Sequence, residues 1–261
     1  MEVPARGPGR LRDLPAGYFE WLAPAGLRDA VACVWAQVTT AMPGRPGLVL
    51  PDACSDLIWE PGRGAYIAGP DTGPMPAELP ADAVVVGVRF RPSAGGPALG
   101  LPLSELLDQR VDLADLKPAA ARTMPGSLSP EVAADRALAL VASLVAEGPP
   151  DPAVTRAARL LRDPAVRAEE VAAGIGLSPR QLRRRCQAAV GYGPKTLQRV
   201  LRFRRFLSQV DATSSARLDL AAMAADAGYA DQAHLTRECA ELSGLTPAAL
   251  VRHRVGQHGA A

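Results

Sequence analysis

The first 150 residues contain no histidine; His234, His253 and His258 all fall in the second half. Metalloenzymes built on small β-barrels bind their metal largely through imidazoles, so no such centre is expected there. Cysteine is scarce too. Cys33, Cys54, Cys186 and Cys239 lie far apart and form no Cys-x-x-Cys pair, which argues against a zinc knuckle and fits a reducing cytoplasm. No stretch approaches the roughly 20 apolar residues of a membrane span. The opening Met1-Glu-Val-Pro-Ala-Arg-Gly-Pro8 has no apolar run, so neither a signal peptide nor a membrane partner is expected. There is no phosphate-binding loop and no nucleophile elbow. Acid pairs such as Asp52 and Asp56 are too loosely spaced to signal a metal or a catalytic dyad. No catalytic residue, metal or cofactor is therefore expected. Lysine is almost missing: Lys117 and Lys195 stand among 29 basic residues. That scarcity reflects a GC-rich genome as readily as any function.

What is present divides the chain in two. A length of 261 residues allows two domains with a real core each. The 24 Gly and 25 Pro concentrate before residue 152, so the first half should be rich in loops. Residues 151–261 hold 17 basic and 10 acidic side chains, net +7, and residues 1–150 hold 12 and 17, net −5, which together give the +2 of the whole chain. A basic half beside an acidic half implies that one of them meets a polyanion.

Residues 1–17 read as an extended arm. Val31–Thr39, Gly47–Pro51, Ser55–Glu60, Ala65–Ala68 and Ala83–Phe90 are β-branched runs. Turn clusters at 42–47, 61–64 and 69–74 separate them, a spacing that predicts a small antiparallel sandwich or barrel. Pro102–Leu107 starts a short helix, Val132–Val145 is a longer one, and Gly148-Pro-Pro-Asp-Pro152 reads as the linker. Trp35 and Trp59 could line a pocket or serve as ordinary core, and Arg89 could bind an acidic ligand or sit on a solvated face.

The second half contains one pattern written twice. Val171-Ala-Ala-Gly-Ile-Gly-Leu-Ser-Pro-Arg-Gln-Leu-Arg-Arg-Arg-Cys186, followed by Gly191, Pro194 and Leu197, returns as Met223 to Cys239 followed by Gly244, Pro247 and Leu250. The offset is 52 before the turn and 53 after it. Each copy reads as helix, tight turn, helix. Gly176 and Gly228 supply a left-handed residue after the first helix. Ser178 and Asp231 cap the second helix, and Pro179 occupies its first turn. Leu182 and Cys186 fall on one face. Between the copies, Pro194–Val210 predicts one long helix buried through Leu197, Val200, Leu201, Phe203, Leu207 and Val210. A polar loop follows at 211–217.

At these residues the sequence resembles the AraC/XylS family of bacterial transcription regulators. Ser178-Pro-Arg-Gln-Leu-Arg-Arg184 looks like the family's first recognition helix, Gly228-Tyr-Ala-Asp-Gln-Ala-His-Leu-Thr-Arg237 like its second, and Gly244-Leu-Thr-Pro-Ala-Ala-Leu250 like its closing segment. Cys186 and Cys239 replace the usual Phe, and Ala230 the usual Ser, departures that bear on packing and capping. More weakly, Leu50-Pro-Asp52, Asp56-Leu-Ile-Trp59, Ala68-Gly-Pro70 and Gly87-Val-Arg-Phe-Arg-Pro92 resemble the half-cupin sensor region of a subgroup of these regulators. The resemblance implies an α+β chain. A β-rich half-cupin-like sensor or dimerisation domain would cover 1–121, a helical linker 122–152, a double helix-turn-helix domain 153–254, and a tail 255–261.

The expected DNA readers follow from helical geometry together with the family's positions. They are Arg180, Arg183, Arg184 and Gln187 in the first unit, and Gln232, Ala233, His234, Thr236 and Arg237 in the second. Arg pairs with guanine O6 and N7, Gln with adenine, and Thr touches the thymine methyl. Lys195 and the helix N-termini at Ser178 and Asp231 are expected near phosphate, and His234 is read as a cap-region or phosphate contact ahead of a base reader. The implied partner is double-stranded DNA, with a small-molecule effector, a homodimer partner and, for an activator, RNA polymerase as further possibilities. Two other readings stay open. One is a DNA-binding module fused to an enzymatic domain of repair or cupin type; the other is a small-molecule-binding or scaffold protein with a vestigial DNA module.

Overall fold

In the computed structural model, residues 10–40, 47–212 and 219–258 are described, the last four by backbone alone. Residues 1–9 of the arm expected at 1–17, the turn at 42–46, most of the polar loop at 211–217 and the last three residues of the expected tail lie outside them; the rest of the arm is packed instead, with a 3-10 turn at Leu11–Asp13 and Leu11 buried.

Among the described residues the first half holds eight strands: β1 Gly17–Trp21, β2 Val31–Val38, β3 Gly47–Val49, β4 Ser55–Glu60, β5 Gly64–Ala68, β6 Met75–Ala77, β7 Val84–Phe90 and β8 Arg110–Asp112. Six form an antiparallel sheet in the order β1-β2-β7-β4-β5-β8, while β3 and β6 pair as a separate ribbon. Four short helical pieces follow β7: α1 Gly95–Leu99, a 3-10 turn at Leu103–Leu106, α2 Leu113–Leu116 and α3 Pro118–Ala121. Then comes the 18-residue α4, Pro130–Glu147, with Ser129 as its N-cap and Pro130 in its first turn.

One face of the sheet is apolar and the other, more polar face mixes apolar side chains with Glu20, Asp56 and Arg89, and register decides which residue goes where. Leu57, Trp59, Ile67, Val84, Val86, Val88 and Phe90 point one way and are covered by Ala133, Ala137, Val141 and Leu144 of α4. The residues one step over point the other way: Cys33, Trp35, Ile58, Tyr66 and Val85. Trp35 pairs across with Gly87, and Trp59 with Val86. Because strand side chains alternate, the two tryptophans lie on opposite faces and cannot line one pocket. Trp59 is fully buried and donates its indole N–H to Pro125 O at 2.9 Å. Gly87 is required beneath Trp35, whose ring would collide with any Cβ there.

The stretch expected as a linker, 122–152, is packed instead. Met124 and α4 belong to the first core. Gly148 lies so close to the Pro97 carbonyl that a Cβ would collide with it. Asp151 N–H donates to Ser93 O at 3.1 Å.

The second half is all helix: α5 Pro152–Leu160, α6 Ala168–Gly174, α7 Pro179–Val190, α8 Pro194–Ala212, α9 Leu220–Ala227, α10 Gln232–Ser243 and α11 Pro247–His258. Helix α11 extends into the stretch expected as a tail. Leu182, Cys186, Leu197, Val200, Phe203, Phe206, Leu235, Cys239 and Leu250 are fully buried in a second core, where each large side chain contributes about 1.5–3 kcal/mol by leaving water. From the first half Ala53 joins this core, with Leu50 and Leu107 packed against it. Ala53, with φ +67°, is buried among these helices.

Candidate nucleic-acid interface

The first unit is α6, a turn and α7. Helix α6 ends at Gly176, φ +72°, where Leu177 N–H bonds back to Ala172 O at 2.9 Å. Ser178 Oγ then accepts from Gln181 N–H at 3.2 Å, and Gln181 Oε1 accepts from Ser178 N–H at 2.8 Å, a reciprocal cap. Leu182, Cys186, Ala189 and Val190 face the core. That leaves Arg180, Arg183 and Arg184 exposed and Gln187 half-buried. None of the three exposed arginines forms an ion pair among the described residues. Arg185, on the side of the helix facing the first half, donates to Asp151 at 2.9 Å.

The second unit repeats the geometry. Gly228, φ +91°, closes α9 while Tyr229 N–H returns to Ala224 O at 2.9 Å. Asp231 caps α10 by accepting His234 N–H at 2.6 Å. Leu235, Cys239 and Leu242 are buried; Gln232, Ala233 and Arg237 are exposed. Thr236 is half-buried, and its hydroxyl donates to Gln232 O at 2.8 Å.

Several expected contacts are already engaged within the protein. His234 is not a free reader. Its Nδ1 accepts Ala230 N–H at 3.3 Å, its Nε2 meets Glu238 at 3.3 Å, and its ring stands edge-on to Tyr229 at 5.2 Å. The side chains of Ser178 and Asp231 are consumed by their own helices, so what those termini offer a phosphate is backbone N–H. Lys195 is exposed, 3.6 Å from Glu169. Arg184 lies beside a groove of about 420 Å³ shared with Pro97, Leu101, Asp151 and Ala188, so the first half of the chain flanks the first reading helix.

Arg89 lies on the polar face of the sheet with its charge already met. It sits 3.2 Å from Asp56, 3.4 Å from Asp52 and 3.4 Å from Glu20. Burial raises the Asp56 carboxyl above its usual range, opposed by Arg89 and by the Trp35 indole N–H at 2.6 Å. Neither Arg89 nor Trp35 is therefore an open ligand contact. The four thiols are buried as well. Burial pushes Cys33 and Cys186 up to about 12 and Cys54 well above its ordinary value.

Helix α8 joins the two units. Its 19 residues span about 28 Å at 1.5 Å each. Its buried side carries every expected core position, with Leu201 half-buried. Two further contacts weld the units, and neither is visible as a motif. Pro164, in the loop after α5, lies against Gly228, where a Cβ would collide with its ring. Arg199 and Arg202 of α8 converge on the buried Glu238 of α10. The signal available in the sequence was an acid placed four after His234, on the inner side of an otherwise reading helix.

A family model described as a helix-turn-helix domain matches residues 171–253. This segment is an AraC/XylS-type helix-turn-helix domain. Both expected units, with α8 between them, fall inside it. A second model, of a domain of unknown function (DUF6597), matches residues 20–112, which span the sheet from β1 to β8. No curated protein sequence matches the chain. Among solved structures, it is similar to ToxT from Vibrio cholerae O395 at 10% identity, covering 83% of this chain and 97% of that one with a TM-score of 0.44. The complex of that protein with (E)-4-(8-methylnaphthalen-1-yl)but-3-enoic acid aligns at 9% identity, 84% and 97% coverage and a TM-score of 0.45. The unsaturated fatty acid-bound wild-type ToxT from Vibrio cholerae strain SCE256 aligns at 11%, 84% and 93%, with 0.42. Among the described residues no helix is long and apolar enough to cross a membrane.

Proposed function

We propose that this chain is a sequence-specific DNA-binding transcription regulator whose AraC/XylS-type domain reads two successive major-groove segments. The observation that carries the reading is the pairing of two capped reading helices on one rigid connector. Their outer faces present Arg180, Arg183 and Arg184 in the first unit and Gln232, Ala233, Thr236 and Arg237 in the second. A connector of about 28 Å suits major grooves that recur about every 34 Å along one side of the duplex. The first unit, with three unpaired arginines, favours guanine; the second, through Gln232 and Thr236, favours A·T pairs. Lys195 and the N-termini of α7 and α10 supply phosphate contacts.

In this reading the first half, domain 1–121 with 122–152 packed onto it, senses a signal or pairs subunits. It does not catalyse. The reading places the protein in the cytoplasm, where its four buried free thiols stay reduced. The test is selection from a pool of random duplexes with the full chain, followed by titration of the winner across salt. A two-block motif about one helical turn apart is expected, with affinity falling by roughly 10³ or more between 50 and 200 mM salt if six or more phosphates are engaged. Recovery of no motif would remove the regulator reading.

A further inference from the structure

Among the described residues Glu238 is the one carboxylate buried inside the DNA-binding half, 9% exposed, in the helix proposed to read the second segment. A lone buried carboxylate is costly unless fully paired. This one is. Its Oε1 meets Arg202 Nη2 at 2.6 Å, Arg199 Nε at 3.3 Å and His234 Nε2 at 3.3 Å, and its Oε2 accepts from Arg202 Nε at 3.3 Å. Arg202 also lies over the Tyr229 ring at 4.9 Å, and His234 stands edge-on to that ring. Arg199 reaches on to Glu241, one turn further along α10. The connector helix thus grips α10 at two adjacent turns, through the buried Glu238 and the exposed Glu241. Arg237, the neighbour of Glu238, is exposed on the outer side.

The apolar packing of α10 is light: its buried apolar residues are Leu235, Cys239 and Leu242, of which Cys239 is small. Apolar contacts are non-directional, whereas a two-point guanidinium–carboxylate pair has a fixed geometry. We propose that Glu238 is a positioning residue for DNA reading. Held by Arg202 and Arg199, it sets the rotation of α10 about its axis, and with it the phase at which Arg237, Thr236 and Gln232 meet the second major-groove segment. His234 belongs to this clamp and not to the base contacts. The proposal rests on the two-segment reading above.

The experiment is selection from random duplexes with the full wild-type chain, E238Q, and R237A as a base-contact control. Wild type should return two blocks. R237A should lose preference at one or two positions of the second block while its spacing stays fixed. E238Q should keep the first block and lose, or shift in phase, the whole second block. A base change there should cost wild type roughly tenfold in affinity and E238Q under about twofold. Thermal melting checks that E238Q folds; should it not melt cooperatively, R202Q, which leaves Arg199 to neutralise the carboxylate, carries the same comparison. A second block retained at full preference and unchanged spacing overturns the positioning role. Absence of any motif in wild type overturns the DNA reading itself, so the two failures are distinct. Recovery of the second block by E238D, which keeps the charge, would support the ion-pair geometry over bulk packing.

Discussion

Single residues of the same type do different work in the two units. Gly176 and Gly228 match in the repeat and share a left-handed backbone, yet Gly176 has open space around its missing Cβ and Gly228 has Pro164. Gly176→Ala should therefore cost about 1 kcal/mol for the backbone alone. Gly228→Ala should cost distinctly more, because the Pro164 contact between units must also open; chemical denaturation of the two variants checks the difference. Arg184→Ala and Arg237→Ala should each weaken specific DNA binding by about 1–3 kcal/mol and relax preference at one position, leaving the melting temperature near wild type. The thiols give a pH test. With Cys33 and Cys186 held protonated to about 12, the folded state retains protons that the unfolded chain gives up near 9. Stability should thus fall as pH rises above about 9. At pH 8, a thiol reagent should label the native protein far more slowly than the denatured one; prompt labelling of Cys33 would contradict its burial.

At the scale of elements, what was legible followed from how local its cause is. The five strands with β-branched alternation stand where their pattern put them, to within a residue or two, and so do the caps Ser178 and Asp231, because alternation and capping are written in adjacent residues. Strands β1, β6 and β8 were not legible. Gly17–Trp21 carries Glu20 on its polar side, Met75–Ala77 holds a proline, and Arg110–Asp112 is three residues with two charges; each is a strand because a neighbour pairs with it. The same holds for Trp35 and Trp59, whose opposite faces depend on register with β7. The reading helices were legible, but the Arg199–Arg202–Glu238 grip was not, since it joins residues about 40 apart. Ser178→Ala should cost about 1 kcal/mol and lower affinity for the first block through fraying of the α7 N-terminus, measurable by amide exchange at Gln181 and by titration with a block-one duplex.

For the whole molecule, the junction between halves departs most from expectation. It is built of close contacts at glycines: Gly96 against the Ala188 carbonyl and Gly191 against the Pro70 ring. A salt link accompanies them, Arg204 to Asp52 at 3.4 Å. Asp52 also touches Arg89, so one carboxylate spans the sheet's polar face and the connector helix. Gly96→Val should force the first half off α7, lowering the melting temperature and exposing 148–152 to protease, whereas the wild-type segment should resist cleavage at protease levels that cut an open linker. Rapid cutting of the wild type there would show that the halves are not docked as described.

The residue with the widest reach is Ala53. A side chain of the sheet half fills space among helices of the DNA-binding half, held by a backbone conformation that few side chains adopt. A chimaera grafting residues 153–254 onto a foreign sensor would inherit a vacancy at that spot and a bare rim around it. The two halves are better regarded as co-tailored partners than as interchangeable cassettes, and swaps between relatives should succeed only when the loop 50–54, between β3 and β4, travels with the helices it plugs.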